Sequence, residues 1–291
     1  MKREEFVVFD LRRRQKSPSL DLLFPGWREG DERVVIFSPH DDDALLGAGY
    51  LLQAVPLFGG EVYIVVFCNG SGGYSVIEHK NVITALRARE TTRAYEKVGI
   101  LPERIYRLEY DDYSVWPFIG WKLAGGEEGT VQKVIPLLRR LRATRVVLPN
   151  GYREHLDHTA VFMVGAFDTP QVGDPVMADW GESAPVRSVL QYAVWSDFAF
   201  DDALCAGDDL GIRANRALLA PSWAEERVQE AMREFRTQAR IVEGLLVARR
   251  EREFRNGFFL EVYLAFDPRP KCVYEKYLRR VEEIERGGDA Q

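Results

Sequence analysis

The chain has 291 residues, 46% of them hydrophobic, enough for one large α/β domain or two small ones and for a sizeable buried core. Its net charge is −6 and its pI about 5.5, with Lys and Arg dispersed among acids, so there is no basic face to neutralise phosphates and nucleic acid is not an expected partner. The longest strand-like runs, such as "VYIVVFC", fall far short of a membrane span, and the start "MKREEFVVFDLRRRQKSP" has no signal-peptide core, so no membrane-spanning segment is expected and the expected location is the cytoplasm.

In chain order, strand-like runs at 33–38, 61–67, 104–108 and 145–149 alternate with helical periodicity at about 43–58, 81–98 and 130–142. In the last of these helices Val131, Val134, Ile135, Leu138 and Leu141 share one face. A further helix is expected from about Leu156. The near-continuous apolar character of the strands predicts a Rossmann-like, mostly parallel sheet with helices on both faces. From about residue 168 "DTPQVGDPVMADWGESAP" reads as a long loop, followed by a strand at 187–194. A long helix is expected from Ser222 towards Val247, with Ser222 and Glu225 at capping-box spacing. A strand at 258–266 and a charged helix at 273–286 end the chain. The whole is expected to form one α/β domain, with its core at about 30–167 and a more divergent part at 168–291.

Cys68, Cys205 and Cys272 are odd in number and far apart, which argues against disulfides and thiolate zinc clusters; reduced, mostly buried thiols are expected. "GAG" at 47–49 lacks the third glycine of a dinucleotide fingerprint, and "NGSGG" lacks the spacing of a nucleophile elbow.

The acids carry the chemistry. "PHDDDALLGAG" at 39–49 places three carboxylates directly after a strand, and "NGYREHLDHTAV" follows the strand at 145–149. In a parallel sheet both strand ends face the same edge, where ligands bind in open α/β folds. Two imidazoles and a carboxylate form the three-ligand set of catalytic zinc, and His40, Asp43 and His158 are the candidate ligands. Asp42 is then free to act as general base. Asp41 is expected to do no more than favour the helix N-terminus. Capping alone accounts for one or two of the acids, not for three beside a histidine with a His-x-Asp-His cluster at the matching edge.

These motifs resemble those of the zinc-dependent PIG-L/LmbE-like N-deacetylases, standing here as "HDDD" at 40–43 and "HLDH" at 155–158. "RARETTRAYEKVGI" at 87–100, "LEYDD" at 108–112 and "CNGSGGYS" at 68–75 extend the resemblance, which covers about residues 33–167. "FRTQ" at 235–238 and "EREFR" at 251–255 carry it faintly further. Asp41 departs from the family's usual Pro, and Ala44 stands where Glu is common.

The resemblance implies that His40, Asp43 and His158 hold Zn²⁺, Asp42 is the base, and His155 stabilises the oxyanion. Asp157 would hold a histidine ring in its tautomer, and Arg87 and Asp112 would contact the sugar. The implied activity is hydrolysis of an N-acetyl or other N-acyl group on a small-molecule amino sugar or glycoconjugate, a linear amide and not a peptide bond. A magnesium phosphohydrolase is disfavoured by the histidines. A sugar-binding protein with a structural metal would not need Asp42 or His155. His79 reads as a surface residue, and Trp116 and Trp121 as either sugar platforms or loop packing. A homo-oligomer is compatible with the sequence.

Overall fold

The computed structural model describes residues 2–199 and 211–288, so Cys205 lies outside the described residues. Val34 and Ile36 point to one side of strand β3 (Arg33–Ser38) and Val35 and Phe37 to the other, and all four are fully buried. A strand with two apolar faces needs cover on both, and the helices supply it. Helices α1 (Asp43–Leu57), α2 (Ile83–Lys97) and α5 (Ser222–Met232) pack against Val34 and Ile36, while α3 (Thr130–Leu141) and α4 (Leu156–Gln171) pack against Val35 and Phe37.

The sheet around β3 is mixed. Its nine strands lie in the order β2-β1-β8-β9-β7-β6-β3-β4-β5 among the described residues. Strands β4 (Glu61–Cys68), β5 (Ile105–Tyr110), β6 (Arg145–Pro149) and β7 (Ser188–Tyr192) continue β3 in parallel. The other four, β1 (Val7–Asp10), β2 (Gln15–Ser17), β8 (Arg216–Pro221) and β9 (Phe258–Phe266), pair antiparallel. The mostly parallel expectation is corrected here. β2 has the sequence "QKS" and no buried residue, so its place in the ladder rests on backbone bonds that hydrophobic periodicity does not report.

Three further expectations change. α4 runs through Asp168–Gln171, so the loop begins after Gln171; Pro170 falls in the helix's final turn. The long helix from Ser222 breaks after Met232 and resumes as α6 (Ala239–Ala248). The break is held by Glu90, which accepts from Thr237 N and Oγ1 at 3.0 and 2.6 Å. Glu225 caps nothing: Pro221 precedes the first turn of α5, no side-chain cap bond forms, and Glu225 is buried against Arg249.

That buried pair supports α1, the helix that carries the acids. α1 kinks at Ala48 (φ −137°, ψ 22°), which frees backbone groups in mid-helix. Glu261 accepts from Tyr50 N at 2.8 Å and Leu51 N at 3.3 Å, and Arg249 Nη1 donates to the Leu46 carbonyl at 2.8 Å. Glu225 in turn accepts from Arg249 Nη2 at 2.6 Å and from the Tyr50 hydroxyl at 2.5 Å. The "GAG" run serves this packing, since a Cβ at Gly49 would stand 2.6 Å from Val228 of α5.

Replacing Arg249 with Met should therefore strand a buried carboxylate and lower stability by about 3–5 kcal/mol. Adding Glu225→Gln should recover part of that loss. Urea unfolding of the two variants checks this, and a cost for Arg249→Met below about 1 kcal/mol would contradict the assignment.

Candidate active site

β3 and β6 are neighbours and parallel, so the segments leaving them, Pro39–Asp42 and Asn150–His155, emerge at the same sheet edge. The two motifs meet there. The His40 ring lies 4.7 Å from that of His155 and 5.5 Å from that of His158, centroid to centroid.

Asp43 Oδ2 sits at the centre. It is 3.1 Å from His40 Nδ1 and 3.0 Å from His158 Nε2, and it accepts from the His40 backbone N at 2.7 Å. Each ring's other nitrogen faces a second carboxylate: His40 Nε2 is 3.2 Å from Asp157 Oδ2, and His158 Nδ1 is 2.7 Å from Glu154 Oε2. Glu154 is itself fixed, its Oε1 accepting from the backbone N of Val194, Trp195 and Ser196 at 2.8, 3.1 and 3.1 Å. With the outer nitrogens donating outward, two imidazole lone pairs converge on an anionic oxygen. That arrangement needs a proton or a cation between them.

Protonation directions agree in the absence of any cation. Burial opposes charge on His158, but Asp43 and Glu154 outweigh it and hold its pKa at about 9. Burial likewise opposes charge on His40, and Asp157 and Asp43 raise its pKa well above the ordinary value. Asp43 is held well below the carboxylate range, burial being overcome chiefly by His158. Among the described residues no hydrogen-bond donor faces the buried His158 Nε2, its neighbour Asp43 Oδ2 being an acceptor.

A metal fits this donor set: one ligand atom from each of His40, Asp43 and His158 lies within 4.8 Å of the others. Two other groups meet the same distance, His40 with His155 and Asp157, and His40 with Cys68 and Asp112. In the former, Asp157 Oδ2 already accepts the Tyr113 N–H at 2.7 Å. In the latter, the Cys68 thiol is buried and burial pushes its pKa up to about 12.

The remaining acids have separate surroundings. Asp42 faces the cavity, and burial raises its pKa despite Arg87 Nη2 at 3.7 Å. Asp41 corrects the expectation of a minor helix-terminus role. It is fully enclosed, accepting from Arg87 Nε at 3.1 Å, Thr91 Oγ1 at 2.5 Å and Arg107 Nη1, while Ser38 Oγ accepts from the first-turn Ala44 N–H. Burial opposes its charge, but Arg87 and Arg107 lower its pKa, so its contribution to stability is present above the unfolded carboxylate value and is lost as pH falls through the folded one.

Arg87 and Asp112 both line a cavity of about 330 Å³ beside His40, Asp42 and His155. Arg87 is 2% exposed and also donates to Gln238 at 2.6 Å, so its guanidinium is largely committed within the protein. Asp112 accepts from Gly70 N and Gly72 N, both at 2.9 Å, and fixes the glycine-rich turn; Gly70 needs its glycine there, at φ +79°.

Asp157 does not orient His155 through its side chain alone: the Asp157 backbone N–H donates to His155 Nδ1 at 3.2 Å, while its carboxylate serves His40. His79 does not line this cavity, and neither do Trp116 or Trp121, whose ring packs on Trp180 at 5.2 Å. The aromatic residues that do line it are Tyr74, Tyr113 and Trp195. Glu154 escaped the sequence argument although it stands four residues before His158, a helical spacing that could have signalled it. Gln238 stands in the "FRTQ" segment that carried the resemblance only faintly, and Trp195 gave no signal. Cys68 is buried, and Cys272 is exposed, against the expectation of mostly buried thiols. No helix among the described residues is long and apolar enough to cross a membrane.

The family model "PIG-L: GlcNAc-PI de-N-acetylase" matches residues 35–166. No curated protein sequence matches the chain. Among solved structures, the N,N'-diacetylchitobiose deacetylase of Pyrococcus horikoshii superposes with TM-score 0.60 at 17% identity, over 81% of this chain and 84% of its own. The conserved protein TT1542 of Thermus thermophilus gives TM-score 0.59 at 20% identity, over 83% and 97%. GalB of Pseudomonas putida, a 4-carboxy-2-hydroxymuconate hydratase, gives 0.58 at 15%, over 83% and 98%. A deacetylase and a hydratase share this fold, so the fold alone does not select the reaction.

Asp112→Ala should free the Gly70 and Gly72 amides and raise their hydrogen-exchange rates, with about 1–3 kcal/mol of local protection lost. Unchanged exchange at both would show that the turn does not depend on this carboxylate.

Proposed function

We propose, on the match of residues 35–166 to the PIG-L family model, that the chain is a zinc-dependent hydrolase removing an N-acetyl or related N-acyl group from an amino sugar or amino-sugar conjugate. The observation that carries this is the convergence of His40 Nδ1 and His158 Nε2 on Asp43 Oδ2, at 3.1 and 3.0 Å, with each outer ring nitrogen held by its own carboxylate. Carboxylate–histidine pairs of this kind orient metal ligands and raise their basicity. Two imidazoles and one carboxylate suit Zn²⁺ and not Mg²⁺, which prefers oxygen.

When bound, zinc supplies a water-derived nucleophile near neutral pH and polarises the amide carbonyl. This chain's own residues do the rest. Asp42, at the cavity wall with its pKa raised by burial, takes a proton from the attacking water and returns it to the leaving amine. His155 accepts the Asp157 N–H at Nδ1, so its ring proton stands on Nε2 and is available to the developing oxyanion. Burial, followed by the nearby His40, lowers the His155 pKa and so favours the neutral ring. Arg87 and Asp112 are assigned to the sugar side of the cavity, Arg87 acting also through its grip on Asp41 and Asp42.

The test is acetate release from a panel of N-acetylated amino sugars by the zinc-loaded protein, with metal content measured on each variant. Asp42→Asn should keep about one zinc per chain and lose hydrolysis, and Asp43→Ala should lose the metal. Near wild-type turnover by Asp42→Asn, or unchanged zinc in Asp43→Ala, would overturn the assignment.

His155→Ala should lower kcat by about 10²- to 10³-fold with zinc retained. Glu154→Gln should weaken zinc binding by about 10- to 100-fold, measured by competition with a chelator, and an unchanged affinity would remove Glu154 from the site.

A further inference from the structure

The C-terminal helix α7 (Tyr274–Gly288) has an apolar face that none of the described residues covers. Tyr274, Tyr277, Leu278, Val281 and Ile284 are 52–70% exposed, and no residue from 274 to 286 is buried. Tyr274, Tyr277, Val281 and Ile284 alternate three and four residues apart, the a and d positions of two heptads, with Leu278 beside them at e. Pro268 and Pro270 stand just before the helix and separate it from β9.

The polar face indicates what covers the stripe. Lys276, Arg279, Arg280 and Arg286 are balanced by Glu275, Glu282, Glu283 and Glu285, so the segment 274–286 carries no net positive charge to draw it to an anionic lipid surface. In the heptad frame Arg280 occupies g and Glu285 the e position five residues on, the two places that meet across a parallel coiled coil. Two copies side by side would form this opposite-charge pair twice. An antiparallel pair sets g against g, and the g positions on this helix are Arg280 and Gly287, with Val273 just ahead of them, so none offers an acid.

We propose that α7 is a self-association element, forming a parallel coiled coil with the same helix of a second copy of this chain. Ile at the d position 284 also accommodates a third strand. The proposal is independent of the assigned chemistry, because it uses no residue of the active site.

Sedimentation equilibrium of the full chain over a concentration series tests it. The wild-type protein should associate to two or three chains, and Val281→Glu with Ile284→Glu should be monomeric with unchanged circular dichroism. Arg280→Glu should weaken association about fivefold or more, and Arg280→Glu with Glu285→Arg should restore it. A wild-type monomer up to the highest soluble concentration would overturn the proposal. So would persistent oligomers in the Val281/Ile284 variant, failure of the charge exchange to restore association, or a monomeric chain that binds vesicles of anionic phospholipid.

Discussion

The site depends on one crowded oxygen. Asp43 Oδ2 has two imidazole nitrogens and one backbone N–H within 3.1 Å, and the two outer ring nitrogens are held by Asp157 and Glu154. Each of those carboxylates is fixed by backbone N–H groups of a different segment, Tyr113 for Asp157 and residues 194–196 for Glu154. Four loops at the sheet edge therefore converge on one point. A cation there would relieve the opposed lone pairs and draw the four loops together, which couples metal binding to the order of the edge.

The three adjacent aspartates are tolerable because each turns to a different set of partners. Asp41 turns inward to Arg87 and Arg107, Asp43 turns to the two histidines, and Asp42 stands at the cavity wall with the Arg87 guanidinium 3.7 Å away. Asp41 also gains a function from this sequence's departure from proline. It anchors α2 and β5 to the site through Arg87, Thr91 and Arg107, and Arg87 extends that anchorage to Gln238 at the break before α6. Through this chain of contacts Gln238, far along the chain, contributes to a cavity whose candidate ligands lie between residues 40 and 158.

Legibility in the sequence followed the strength of local signals. The parallel strands and the helices between them were readable because buried strands are continuously apolar and covering helices keep a 3.6-residue period. β1, β2 and β8 escaped because short antiparallel strands are set by backbone pairing, here between segments as far apart as residues 7–10 and 216–221. The helix beginning at Ser222 looked unbroken because its interruption is imposed by Glu90, more than a hundred residues away, and no local pattern records that. His40, Asp43 and His158 stood out through spacing. Glu154 and Asp41 were misjudged because a carboxylate beside a histidine or at a helix entry has ordinary explanations until its partners are placed. Trp195 and Gln238 reach the cavity only through tertiary structure.

The central claim is that His40 and His158 present opposite ring nitrogens to a common metal, each kept in its tautomer by a carboxylate. Nitrogen-15 NMR of the imidazoles in the zinc-loaded protein tests it most directly. Two neutral rings of opposite tautomer are expected at neutral pH, His40 protonated at Nε2 and His158 at Nδ1. Two rings of the same tautomer, or rings that remain doubly protonated when zinc is added, would contradict it.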